Sequence, residues 1–120
     1  MKIEFEIFLP EAREGRTFSF QIVDSLDRPV VHIWRYDQDK PFLRGKGLQK
    51  VVCEIPNCRL NIGHFSLRTF LAGPPGKPAD QVLEGVCNFE VVIYERSTLF
   101  GWRQEVCAYH EEADWTEQPI

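Results

Sequence analysis

An all-β fold, an immunoglobulin-like antiparallel β-sandwich of about seven strands, is what this sequence predicts, and three observations carry it. Apolar residues recur at alternate positions in stretch after stretch, the period of a half-buried strand. Turn-forming Gly, Pro, Asp and Ser separate these stretches, and no amphipathic helix of useful length is written between them. The third observation is the segment from Val51 to Leu67. Val51, Cys53 and Ile55 share one face of a first stretch, Phe65 and Leu67 share one face of a second, and a connection from Pro56 to Gly63 joins them. Leu60, Gly63 and Phe65 match the Leu-x-x-Gly-x-Tyr type of corner that such sandwiches often carry. Phe65 keeps the ring of the usual Tyr and loses its hydroxyl hydrogen bond.

Taken in order, residues 2–9 put Ile3, Phe5, Ile7 and Leu9 on one face, and residues 16–23 do the same with Phe18, Phe20 and Ile22. Ser25-Leu26-Asp27-Arg28-Pro29 is a turn. Residues 30–36 then offer Val31 and Ile33 to one face and His32, Trp34 and Tyr36 to the other. A loop rich in Asp, Pro and Gly runs from Asp37 to Gly47. Residues 48–55 and 63–71 form the corner pair. Gly73-Pro74-Pro75-Gly76-Lys77-Pro78 is a surface loop, because three prolines deny a helix or central strand its amides. Asp80 to Gly85 reads as a turn at most. Residues 84–94 return as a long strand with Cys87, Phe89, Val91 and Ile93 inward. Residues 102–110 give a last, weaker strand, and the acidic tail from Glu111 to Ile120 is expected to be mobile.

At 120 residues the chain fits one domain, spanning 1–120, with length enough for a core without staples. Nine Phe, three Trp and three Tyr favour strands. The net charge is −4 and the 14 Lys and Arg are scattered. With no basic stripe to neutralise phosphates, nucleic acid is not an expected partner. No stretch approaches the roughly 18 apolar residues of a membrane span, so no direct membrane insertion is expected. Met1-Lys2-Ile3-Glu4-Phe5-Glu6 alternates charged and apolar residues and is no signal peptide, which points to the cytoplasm and to reduced cysteines. Cys53, Cys87 and Cys107 sit in apolar strand contexts and read as small core residues.

Chemistry finds little purchase. His32, His64 and His110 lie on different segments, none beside a nucleophile in a known motif. Asp24 and Ser25 occupy a turn that favours both for backbone reasons. Cys53 and Cys58 are spaced too widely for a CxxC zinc site, and Cys87 and Cys107 have no close partner. Gly76-Lys77 is followed by Pro78, where a phosphate loop needs Ser or Thr. Neither enzyme activity nor a metal or cofactor is expected.

One surface stands out. If residues 16–23, 30–36, 63–71 and 84–94 are neighbours in one sheet, their outward residues make a continuous face. It would carry Ser19, Gln21, His32, Trp34, Tyr36, Ser66, Arg68, Phe70, Asn88, Glu90 and Val92. Flat aromatic rings beside amide, guanidinium and carboxylate groups suit a sugar, whose C–H face stacks while its hydroxyls hydrogen-bond. Gln21, His32, Trp34, Tyr36, Ser66, Arg68, Asn88 and Glu90 are the candidate glycan contacts. The same aromatics would equally suit a protein interface.

The sequence also resembles a family, the C-terminal carbohydrate-binding domain of the ATP-binding subunit of bacterial O-antigen (lipopolysaccharide) polysaccharide ABC exporters. The residues that carry the resemblance are Val52-Cys53-Glu54-Ile55-Pro56 with Leu60, Gly63, Phe65 and Leu67. They continue through Asp80 and Leu83, Phe89-Glu90-Val91, and Gly101 to Trp115. Upstream, Phe18 to Val23 and Asp24 to Val30 fit the family's strand-turn-strand. Two departures are Phe65 for the corner Tyr and an opening strand before Met1 that is absent or shortened. The resemblance implies a cytoplasmic module, peripheral at the inner membrane, that recognises finished polysaccharide and works with an ATP-binding domain and a membrane subunit. It further implies a homodimer built by exchange of the C-terminal strand, with Trp102, Val106, Tyr109 and Trp115 at the interface. On that reading the chain is a fragment or free-standing relative of a larger subunit.

Overall fold

A computed structural model describes residues 1–73, 79–92, 107–111 and 113–119. Six strands form, all pairing antiparallel: β1 (Lys2–Leu9), β2 (Thr17–Asp24), β3 (Pro29–Tyr36), β4 (Gly47–Glu54), β5 (Gly63–Ala72) and β6 (Ala79–Val91). There is no helix among the described residues. β1 and β4 make a two-stranded sheet, and the other four pair in the order β3-β2-β5-β6. The chain is all-β and consistent with a sandwich, and the four segments expected to share a sheet do share one.

Alternation sets which side of each strand is buried. Ile3, Phe5 and Ile7 of β1 turn toward Phe18, Phe20 and Ile22 of β2, with Phe65 and Leu67 of β5 beside them. Phe5 packs edge-on to Phe18 at 4.9 Å between centroids and tilts against Phe20 at 5.2 Å. Those two contacts lock one sheet over the other, because burial of each ring removes apolar surface from water on both sides of the gap. The N-terminus extends the β1–β4 ladder by one step: the Met1 amine donates to the Ile55 carbonyl at 2.6 Å, and the Ile55 amide donates back at 2.7 Å.

The corner does what its sequence predicts. β4 belongs to one sheet and β5 to the other, so residues 55–62 carry the chain across the sandwich. Leu60 is buried in the core at this crossing, and Phe65 stacks on Phe89 at 5.6 Å. Gly63 opens β5 with φ 150°, backbone that an L side chain rarely adopts.

Two expectations need correction. Asp80 to Gly85 is strand and not a turn, since β6 starts at Ala79 and pairs along β5 from Ala72 onward. Pairing with a neighbour outweighs the weak local preference of this stretch. Cys87, expected inward, is exposed. Gly85 at φ 66° and Cys87 at φ 52° mark bulges where the β5–β6 register shifts, and an inserted residue reverses the facing of the side chains beyond it. Val86, Phe89 and Val91 keep the core side. The core-thiol reading therefore holds for Cys53, which packs against the core, and fails for Cys87. Ile93 and residues 102–106 of the expected last strand lie outside the described residues. Tyr109 makes an isolated antiparallel bridge with Leu60.

The loop between β3 and β4 is organised by a buried carboxylate that pattern reading did not single out. Asp37 is 3% exposed. It accepts the amide N–H of Gly15 at 2.8 Å and of Phe42 at 2.7 Å, and the Nε–H of Arg44 at 2.8 Å. Arg16, also buried, donates to the carbonyls of Leu43 and Glu11. Together they tie the β1–β2 loop to the β3–β4 loop.

Candidate functional site

The outward face of the four-stranded sheet is built in rows. Trp34 and Phe70 flank Ser19 from β3 and β5; His32 and Arg68 flank Gln21 one row along. Trp34 is 50% exposed and stacks on His32 at 3.7 Å, with Phe70 leaning on the same imidazole at 5.7 Å. Ser19 is buried beneath this aromatic group. Burial lowers the pKa of His32 below its ordinary 6.5, so the stacked imidazole is neutral at pH 7.

Arg68 is the hub of the next row. Its Nη1 donates to Gln21 Oε1 at 3.0 Å, its Nη2 to Asp27 Oδ1 at 3.1 Å, and its Nε lies 3.4 Å from a Glu84 oxygen. Because Gln21 Oε1 accepts from Arg68, Gln21 Nε2 faces His32 Nδ1, 3.5 Å away. The order Trp34–His32–Gln21–Arg68 thus runs unbroken from aromatic to charged, with Asp27 and Glu84 balancing the guanidinium.

Beyond Arg68 the face falls into a polar groove of about 640 Å³ lined by Ser66, Asn88, Glu90, His64, Ser25 and the β2–β3 turn. Asp24 shapes that turn. Its Oδ1 accepts the amides of Leu26 and Arg28, both at 2.9 Å, and its Oδ2 accepts Arg28 Nε at 2.9 Å. Burial pulls the Asp24 carboxyl upward, but the hydrogen bonds from Arg28 and Leu26 outweigh it and leave its pKa lowered. The backbone role read for Asp24 in the sequence is the one it has.

Seven of the eight candidate contacts fall into these two adjoining zones: Gln21, His32, Trp34 and Arg68 in the first, Ser66, Asn88 and Glu90 in the second. Tyr36 stands two residues past Trp34, opposite Thr17, and takes no part in the hydrogen bonds or ring contacts of either zone. Asp27, His64 and Glu84 join the site without having been among the candidate contacts. Alternation from Ser66 points to His64 but not to Asp27, which arrives from a turn, nor to Glu84, which a bulge turns to this side. Of the interface candidates, Tyr109 is exposed and Trp115 is 91% exposed, while Trp102 and Val106 lie outside the described residues.

Among the described residues no group of three or more His, Cys, Asp or Glu could hold a metal ion, and no helix is long and apolar enough to cross a membrane. In comparisons with known proteins, no family model matches the chain and no curated protein is similar to it. The family resemblance rests on its own matching residues alone.

Proposed function

We propose that the domain is a non-catalytic carbohydrate-binding module that reads an O-antigen type polysaccharide for an ABC exporter. The observation that carries this reading is Trp34, half exposed, backed by His32 and bordered by the Gln21–Arg68–Asp27–Glu84 array. A pyranose laid on the indole packs its C–H face against the ring, and its hydroxyls meet carboxylate, amide and guanidinium groups that the sheet already holds in place. The groove of Ser66, Asn88 and Glu90 continues the face and gives room for a second sugar. Arg68 is offset by Asp27 and Glu84, while Glu90 leaves the groove acidic, which favours neutral or amino sugars over uronic acids.

In this proposal the module is cytoplasmic and sits at the inner membrane through an ATP-binding domain and a membrane subunit. It works as a homodimer, exchange of the C-terminal strand making the second site an effectively intramolecular one. The test is titration calorimetry of purified domain with isolated O-antigen polysaccharide. Trp34→Ala should weaken binding at least about tenfold, as loss of a central Trp does at an interface, with an unchanged circular dichroism spectrum. Binding that is indifferent to Trp34 would remove the face from consideration. The competing reading is a protein-binding sandwich using the same aromatics; silence on a glycan array together with co-purification of a protein partner would favour it.

A further inference from the structure

The crossing between the sheets holds a second polar cluster, remote in sequence from the face. Asn61 is 1% exposed. Its Nδ2 donates to the Cys107 carbonyl at 3.0 Å, and its backbone amide donates to the Ala108 carbonyl at 3.0 Å. Its Oδ1 lies 2.9 Å from His110 Nε2, and His110 Nδ1 lies 3.8 Å from Cys107 Sγ.

These contacts fix the proton of the imidazole. With Asn61 Nδ2 committed to a carbonyl, the oxygen end of the amide must face His110. An oxygen can only accept, so in the neutral imidazole Nε2 carries the proton and Nδ1 presents its lone pair to the thiol. Cys107, His110 and Asn61 therefore stand as nucleophile, base and orienting group, the order in which a Cys-His-Asn arrangement works on unrelated folds. His110 is further held by its amide, which donates to the Arg59 carbonyl, and the Arg59–Glu111 ion pair at 2.8 Å pins the segment. Cys107 and Asn61 line a cavity of about 680 Å³ whose other walls include Val30, Phe65 and Tyr109 and the mutually paired Asp24 and Arg28.

We propose that Cys107 is a nucleophilic thiol that takes small uncharged ligands bearing an electrophilic carbon, activated acyl or alkyl groups, as covalent adducts. As Sγ bonds to that carbon, His110 Nδ1 accepts the thiol proton, and the leaving group departs with the electron pair of the broken bond. Asn61 is the positioning residue, holding the ring and its tautomer.

Iodoacetamide tests this, forming an S–C bond and releasing iodide. The full chain is labelled with limiting reagent at pH 7, digested, and the modification of Cys53, Cys58, Cys87 and Cys107 is quantified by mass spectrometry in the same molecules. Cys107, though only half-buried, should react at least about tenfold faster than the exposed Cys58. His110→Gln should lower the Cys107 to Cys58 ratio by a similar factor. A Cys107 no faster than Cys58 overturns the proposal. So does a His110→Gln ratio that stays level or rises, which is what a purely structural clip would give when loosened. Cys53, shielded between the sheets, reports unfolding of the variant; if its labelling rises, the wild-type ratio decides alone.

Discussion

Two titratable side chains are held in protonation states by surroundings that the fold creates. Asp37 is kept ionised by the Arg44 guanidinium first and by the Gly15 and Phe42 amides, so that its pKa falls to about 2 despite burial. Its folded pKa lies below the ordinary 3.8, and the stability it contributes is therefore present above that value and is lost as pH falls from 3.8 toward about 2. His32 is shifted down by desolvation, and the unfolded chain takes up its proton first as pH drops below 6.5. Stability should accordingly decline in two steps on acidification. Urea denaturation across pH 8 to 2 checks this: Asp37→Asn should shrink the lower step, to which Asp24 with its lowered pKa also contributes, and His32→Gln should flatten the upper one. Leu43, buried at φ 52°, shows a different constraint. An L residue in left-handed backbone costs on the order of 1 kcal/mol, and here its carbonyl is captured by Arg16 Nη1 at 2.8 Å while its side chain joins the core.

Among the elements, β2 and β5 are central and β6 is where irregularity collects. β2 pairs with β3 and β5 and buries Phe18, Phe20 and Ile22, which leaves only Ser19, Gln21 and their neighbours to face outward. β6 is thirteen residues long yet slips register against β5. Its bulges are what bring Glu84 within reach of Arg68 and Asn88 into the groove with Ser66. Gly85, at φ 66° with open space where a Cβ would stand, tests this through backbone alone. Gly85→Ala should cost about 1 kcal/mol, measured as a shift in the urea midpoint. If glycan binding at Arg68 depends on the bulge, affinity should fall in the same variant while Trp34 fluorescence keeps its native maximum.

At the scale of the molecule the two sheets are unequal, two strands against four among the described residues. β1 leaves the inner surface of β5 and β6 partly open, and a cavity of about 510 Å³ lies between β1 and β6. In the proposed homodimer this is the kind of opening that an exchanged strand would close, since an uncovered sheet edge seeks a partner. A chain ending near Phe100 should then run as a monomer in size-exclusion chromatography with light scattering, against a dimer for the full chain. A dimer surviving that truncation would contradict strand exchange.

Much of this architecture is legible in the order of residues, and some of it could not be. The corner from Val51 to Leu67 announced a crossing between sheets through Leu60, Gly63 and Phe65, and alternation, joined to an assumed sandwich strand order, placed Gln21, His32, Trp34, Ser66 and Arg68 on one outward face. Such features depend on local period and turn chemistry, which any reading of neighbours recovers. Asp27, Glu84 and the facing of Cys87 depend on a turn that folds back and on bulges, where one inserted residue reverses every side chain beyond it. The buried Asp37 and the Cys107–His110–Asn61 cluster are further from sequence still. Asn61 and His110 lie 49 residues apart and meet because the segment after Cys107 docks against the corner. Sequence determined that this chain is all-β, consistent with a sandwich, and which side of most strands turns inward. Only the tertiary structure decided which polar groups come within hydrogen-bond reach, because that proximity is set by packing across the core and not along the chain.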